Sequence, residues 1–176
     1  MSLGYLLASL PMLYPDRAPQ VTVEAFVSAC ESAVGAEDAL AAALLARNDP
    51  RPSRHRYVLA WRDFENAIDG AIGRRRIAKR GTGAADFVPP ETSLCPVGLV
   101  RAIDAAFESA PDPLAREEAL LRVRWAAAEE MGSADPHARS QLFAYAAKLS
   151  MTAARAARDT EKGRVRLDAA LPQQTL

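Results

Sequence analysis

Residues 57–71 read YVLAWRDFENAIDGA and place large apolar residues alternately four and three positions apart. This spacing repeats one face of an α-helix and is typical of the seam along which one helix packs on another. The seam consists of Tyr57, Trp61, Phe64, Ile68 and Ala71. It predicts a long helix from about Ser53 to Arg80, within a helical hairpin or bundle.

The rest of the chain also favours helix, because alanine is abundant and β-branched residues are sparse. Helix starts are indicated by Thr22, Asp112 and Asp135, whose side chains can cap a first turn. The helix after residue 35 presents three leucines on one side, namely Leu40, Leu44 and Leu45. Besides the long helix, the predicted helical segments are 22–35, 37–47, 99–110, 112–131, 135–163 and a short amphipathic tail, Val165–Leu171. We expect an all-α fold, an antiparallel bundle of about six to seven helices around one long central helix.

The chain has the length of one domain and the composition of a globular protein, with 176 residues, 49% hydrophobic and 25% charged. We expect a single helical domain, 1–176, in which the Gly- and Pro-rich segment 81–96 is an internal loop or linker. The apolar start, MSLGYLLASLPMLYP, lacks the basic part of a signal peptide and reaches Pro11 before it could span a membrane. The sequence therefore predicts a cytoplasmic protein without a transmembrane segment.

Charge is unevenly distributed along a chain whose formal net charge is zero. Residues 47–80 contain ten cations and four anions, a balance of +6, and both flanking segments are acidic. The basic end of the long helix contains five cations within seven positions, namely Arg74, Arg75, Arg76, Lys79 and Arg80. The zero net charge disfavours a nucleic-acid-binding protein.

Three interpretations of this basic end stay open. Cations in the last turns of a helix interact favourably with its terminal carbonyl groups, so a solvated helix end needs no partner. A patch that docks an acidic protein is the second interpretation, and nucleic acid or lipid is the third. Arg74, Arg75 and Arg76 point to three sides of a helix, and no aromatic residues lie between them as platforms for bases.

Little in the sequence indicates catalysis or a cofactor. His55 and His137 are the only histidines, neither belongs to a metal-ligand pattern, and both read as surface residues. The acidic pair Glu117 and Glu118 lies in a first helical turn, where carboxylates offset the helix dipole, and Glu129 with Glu130 reads as solvated. We expect no enzyme activity, no metal and no cofactor.

Three stretches together resemble a family of small bacterial proteins associated with V/A-type (vacuolar-like) rotary ATPases and similar to the C-type subunit of these enzymes, which is called the d-type subunit in eukaryotes. The stretches are YLLASLPMLYPDRAP (5–19), WRDFENAIDGAIGRRRIAKRG (61–81) and AYAAKLSMTAARAARDTEKGRVRLDAAL (144–171). They occur at the start, middle and end of the chain. The chain is shorter than a full C-type subunit, which is assembled from repeated helical units.

The resemblance implies a non-catalytic, all-helical coupling subunit that links the central stalk to the membrane rotor ring. It implies protein partners from the stalk or the ring, which would hold this chain on the inner face of the plasma membrane. The basic end would then meet an acidic surface of a partner, with Glu65 and Asn66 at the interface and Trp61 and Phe64 in the core. The alternative is a generic helical adaptor or regulator that binds an acidic protein or nucleic acid through the arginine-rich helix end.

Overall fold

The computed structural model describes residues 2–80, 97–110, 112–133 and 139–158 of the chain. These residues form helices only, in the order α1 (Leu3–Ser9), α2 (Val23–Ala33), α3 (Ala36–Ala46), α4 (Arg56–Arg80), α5 (Val97–Ser109), α6 (Pro113–Ser133) and α7 (Arg139–Ala156). The prediction of an all-α helical bundle is confirmed, and the longest of these helices, α4, contains the quoted seam. The predicted linker 81–96 and the predicted tail Val165–Leu171 lie outside the described residues.

Local capping explains where three of the helices begin. The hydroxyl of Thr22 accepts a hydrogen bond from the backbone N–H of Ala25 (3.1 Å), and the carboxylate of Asp112 accepts one from Ala115 (2.8 Å), as the sequence predicts. Helix α1 is an addition to the predicted helices. Ser2 caps it by accepting from the N–H of Tyr5 (3.3 Å).

Two predicted helix boundaries need correction. The long helix begins at Arg56 rather than Ser53, because the Ser53 hydroxyl accepts from the N–H of His55 (3.1 Å) and makes a turn before the helix. Helix α7 ends at Ala156 rather than Gly163. There the N–H of Arg158 bonds to the carbonyl three residues earlier (3.2 Å), a tight final turn.

A first hydrophobic cluster joins α1, α2, α3, α7 and Ala128 of α6 to the start of α4. At its centre Phe143 is fully buried, with its ring stacked on that of Tyr57 at a centroid distance of 4.6 Å. Cys30 lies in the same cluster, and burial raises the pKa of its thiol to about 12. A thiol in this environment is protonated and unreactive, which fits a core residue.

Helix α3 corrects a detail of the predicted packing. Leu44 and Leu45 are buried, but Leu40 is 55% exposed, so the three leucines do not share one buried side. The inward surface of α3 is made mainly of small residues, namely Ala39, Ala41, Ala42, Ala43 and Ala46. Because alanine leaves room for close approach, α3 packs tightly between α2 and α7 and leaves Leu40 facing solvent.

A second hydrophobic cluster lies between the later turns of α4 and the helices α5 and α6. Its buried residues are Ala67, Ile68, Ala71, Ile72, Leu99, Ile103, Ala106 and Leu120. Phe64 is half-buried and packs against both clusters. Helix α4 therefore belongs to both cores, and all five residues of the predicted seam lie on its inward face.

Ion pairs show the direction of the helices. Helices α6 and α7 are antiparallel, since Glu129 pairs with Lys148 (3.1 Å) near the end of α6 and Glu118 pairs with Arg155 (3.1 Å) near its start. At their junction Gly132 allows a close approach, because a Cβ built there would lie 3.0 Å from the Cβ of Ala144. The Arg155 side chain also donates to the carbonyl of Asp16 (2.8 Å) and ties α7 to the segment after α1.

The Glu129–Lys148 pair predicts a pH-dependent contribution to stability. The hydrogen bond from the Lys148 ammonium holds the pKa of the Glu129 carboxyl below its ordinary value of 4.5. The ionised carboxylate therefore stabilises the folded state above the unfolded pKa, and this contribution disappears as pH falls through the lower folded pKa. We expect Glu129→Gln to lower the free energy of unfolding by about 0.2–1 kcal/mol at pH 7 and by less at pH 3.

Urea unfolding followed by circular dichroism at both pH values measures this difference. The matched control is Glu130→Gln, which removes the same charge from an exposed neighbour that has no ion pair among the described residues. A loss in Glu129→Gln that is equal at pH 7 and pH 3 would show that the carboxylate charge contributes nothing.

Candidate functional site

The cations at the basic end of α4 differ in their surroundings: some are exposed to solvent, and one contacts a neighbouring helix. Arg74, Arg76 and Lys79 are exposed, and none of them forms an ion pair with another described residue. We refer to these three as the exposed cations of α4. Arg75 is half-buried and turns toward α5, and the side chain of Arg80 lies outside the described part of the chain. The five predicted cations therefore do not act as one group.

Arg75 fixes the end of α4 to α5. Its guanidinium is hydrogen-bonded to Asp104, lies 3.5 Å from the carboxylate of Glu108, and stacks over the ring of Phe107 at 5.1 Å. Arg116 of α6 lies over the same ring at 4.8 Å. Two guanidinium groups on one aromatic ring, with carboxylates beside them, hold the three helices in a defined arrangement.

The other two predicted interface residues lie one helical turn after Trp61. The Nε–H of Arg124 on α6 donates a bifurcated hydrogen bond to the two carboxylate oxygens of Glu65, at 3.2 and 2.9 Å, and this pair is half-buried. Asn66 is exposed and also interacts within the chain. Glu65 thus serves to join α4 to α6.

The interpretation of His55 as a surface residue is wrong. Its side chain is only 11% exposed, and its Nε2 lies 3.1 Å from the carboxylate of Asp38 on α3. The ring also contacts the rings of Phe143 (4.8 Å) and Tyr57 (5.9 Å). His55 is drawn inward because its ring completes an aromatic cluster and Asp38 satisfies one of its nitrogen atoms. His137 lies outside the described residues.

An apolar groove of about 860 Å³ lies between α4, α5 and α6, and sequence reasoning missed it. Its lining residues are Ala60, Trp61, Phe64, Gly98, Leu99, Ala102, Arg122, Val123, Ala126, Ala127, Glu130 and Met131. Trp61 and Phe64 are predicted as core; Trp61 belongs to the first cluster and Phe64 packs against both, but one side of each also faces this groove. The groove opens where three helices meet, so no single amphipathic segment indicates it.

The α6 wall of this groove has a regular pattern. Arg122, Ala126 and Glu130 are exposed and follow one another at intervals of four, so they form one ridge along the helix. The next ridge, formed by Val123, Ala127 and Met131, is half-buried and makes the floor. In the sequence, this site is indicated by a small residue, Ala126, that lies four positions from each of two oppositely charged residues, Arg122 and Glu130.

A second cleft of about 750 Å³ lies between α4, α6 and α7 and is more polar. Its acidic groups are paired across the cleft, with Glu65 and Asp69 next to Arg124, and Glu117 3.5 Å from Arg158. Arg76, one of the exposed cations of α4, lies at its edge. Because these pairs neutralise one another, the cleft holds the helices together rather than presenting a charged pocket.

The described ranges contain no group of three or more His, Cys, Asp or Glu side chains that could hold a metal ion. Among the same helices, none has both the length and the hydropathy needed to cross a bilayer. Two surface features of the described residues are candidates for binding a partner: the apolar groove and the helix end with three exposed cations.

Comparison of the chain with known protein families, with curated proteins and with solved structures finds no match. The resemblance to the C-type subunit of V/A-type ATPases therefore stays a prediction from the three quoted stretches.

Proposed function

We propose that this chain is a non-catalytic coupling subunit that docks an acidic surface of a partner protein on the exposed cations of α4. The observation that carries the proposal is the division within the basic end: Arg75 is locked to α5, while Arg74, Arg76 and Lys79 extend into solvent. Because Arg75 anchors this helix end, the backbone positions that carry the three exposed cations are fixed relative to α5. Exposed cations of this kind steer and orient an acidic partner more than they add to affinity.

The way in which α4 is packed suits a subunit that transmits force. Helix α4 has 25 residues and is about 37 Å long at 1.5 Å per residue. It is held in the first cluster through Tyr57 and Trp61, in the second through Ile68 and Ala71, and at its end by Arg75. A partner that pushes on the end of α4 would therefore act on both cores together.

The quoted stretches that resemble the C-type subunit give the proposal its specific form. In that form the chain links the central stalk of a V/A-type ATPase to the membrane rotor ring, and its partners hold it on the inner face of the plasma membrane. The test is affinity purification of the tagged chain from native membranes, followed by quantitative mass spectrometry. Enrichment of stalk or ring proteins is expected, and their absence would contradict the specific form.

Charge reversal at the exposed cations of α4 tests directly whether they form the docking site. We expect Arg74→Glu with Arg76→Glu to lower the recovery of the partner about tenfold, because attraction becomes repulsion at an exposed surface. The matched control is Arg54→Glu with Arg101→Glu, which makes the same change of charge at two other exposed cations. Equal recovery with both double variants would remove the exposed cations of α4 from the docking site.

The same exposed cations favour a second candidate, an adaptor or regulator that binds nucleic acid. Phosphate contacts release counterions, so such binding would weaken steeply as salt is raised. Fluorescence anisotropy with labelled duplex DNA at low salt and at several-fold higher salt measures it. Saturable binding that falls with salt, and that the Arg74→Glu, Arg76→Glu variant loses, would favour this candidate over the coupling subunit.

A further inference from the structure

We propose that the apolar groove binds an amphipathic helix of a partner protein, with an acidic residue at one end of its apolar stripe and a basic residue at the other. This inference rests on the coupling function proposed above and supplies the second docking surface that a coupling subunit needs. The groove lies along α4, α5 and α6, while the exposed cations lie at the end of α4. The two surfaces can therefore be changed separately.

The shape of the groove fits a helix. The α6 wall extends from Arg122 to Met131, which is about 13 Å or two and a half turns of a helix at 1.5 Å per residue. Exposed small residues line the edges on all three helices, namely Ala60 on α4, Gly98 on α5 and Ala126 on α6. Small residues at the edge let another helix come close, and apolar side chains below them give its stripe a surface to bury.

The charges of the groove indicate which helix fits. Arg122 and Glu130 lie on its rim eight residues apart, which is about 12 Å along α6. Both are exposed, and neither forms an ion pair with a described residue. A bound helix that buries its apolar stripe between them would place its own end residues beside these two charges. Opposite charges at those ends would be attracted and like charges repelled, so the rim selects a helix of mixed charge.

Two labelled synthetic peptides of about 18 residues test this, since shorter helices are marginal in water. Both carry leucine at positions i, i+3, i+4 and i+7 on one face. The first has a glutamate and a lysine flanking that face eight positions apart, and the second has glutamate at both positions. Fluorescence anisotropy with the full chain should give saturable binding, with the first peptide bound about fivefold tighter.

Variants of the groove make the assignment specific. Ala126→Glu places a charge on the rim, between Arg122 and Glu130 and beside the apolar floor, and should weaken the first peptide at least about tenfold. Ala105→Glu is the matched control on α5, because Ala105 is exposed and does not line the groove. Glu130→Arg gives the rim two cations and should reverse the preference, so that the peptide with two glutamates binds tighter.

The outcomes separate this inference from the proposed function. Loss of peptide binding in Ala126→Glu, with reversal in Glu130→Arg, would support the groove, and the variant Arg74→Glu with Arg76→Glu should bind the peptide normally. Absence of saturable binding to either peptide would overturn the inference and leave docking at the exposed cations untouched. Concentration-dependent dimerisation that Ala126→Glu abolishes, measured by sedimentation, would also overturn it, since a second copy would then occupy the groove.

Discussion

Replacement of Phe143 by alanine is expected to lower the free energy of unfolding by about 3–5 kcal/mol. Phe143 has no exposed surface, and its ring contacts those of Tyr57 on α4 and His55 just before that helix. Its removal leaves a cavity among aromatic side chains that belong to different parts of the chain, which cannot all move inward to fill the space. A loss of this size is a large fraction of the stability of a domain.

Chemical unfolding followed by far-ultraviolet circular dichroism measures this loss. The control is Leu59→Ala, because Leu59 is 50% exposed on α4 and its truncation should change the stability by about 0.5 kcal/mol or less. A Phe143→Ala protein as stable as Leu59→Ala would show that the first cluster is not packed as described.

The second large effect is expected for Ile68→Ala, with a loss of about 2–5 kcal/mol. Ile68 is fully buried in the second cluster and lies on the same helix as Tyr57 of the first cluster. Because α4 takes part in both cores and Phe64 packs against both, a cavity in the second cluster should weaken the whole fold. Unfolding of the variant should therefore remain a single transition.

This expectation is checked by comparing circular dichroism with the fluorescence of the tryptophans, Trp61 and Trp125, whose side chains pack in or against the first cluster. Coincident transitions in Ile68→Ala at lower denaturant are expected. An early loss of helix signal, with tryptophan fluorescence unchanged, would show that the two clusters unfold separately. Leu59→Ala is again the control, because it truncates an aliphatic side chain that is 50% exposed on the same helix.

Much of the helical frame was predictable because its signals are local. The seam from Tyr57 to Ala71 follows helical spacing, and all of its residues lie on the inward face of α4. The caps at Thr22 and Asp112 depend on groups three residues away, so the sequence contains both partners of each hydrogen bond. Helix type and approximate extent follow from such short-range patterns.

Features that depend on distant parts of the chain were missed or misjudged. Helix α1 has only seven residues and is held by Leu6, whose burial depends on helices that come later in the sequence. Leu40 faces solvent because the alanines of α3 pack against α2 and α7. His55 is drawn inward by Asp38 and Phe143, which lie on two other helices far away in the sequence.

In the candidate site, too, the local features were predictable from the sequence and the features that depend on distant residues were not. Five cations near the end of a helix are evident in the sequence, but the partners of Arg75 lie on α5, and no local pattern distinguishes Arg75 from Arg74 and Arg76. Glu65 is notable in the sequence only for its position next to the seam, and the meeting of α4 with α6 brings Arg124 to it. The apolar groove depends on three helices at once.

Coupling requires that one molecule of this chain holds two partners through two surfaces. The most direct measurement is purification of the tagged chain from native membranes with three baits: the wild-type chain, the Arg74→Glu, Arg76→Glu variant and Ala126→Glu. Wild type should recover both central-stalk and membrane-ring proteins, and each variant should lose one of these two classes and keep the other. Recovery of neither class by the wild-type chain, or of both classes by both variants, would contradict coupling through these two surfaces.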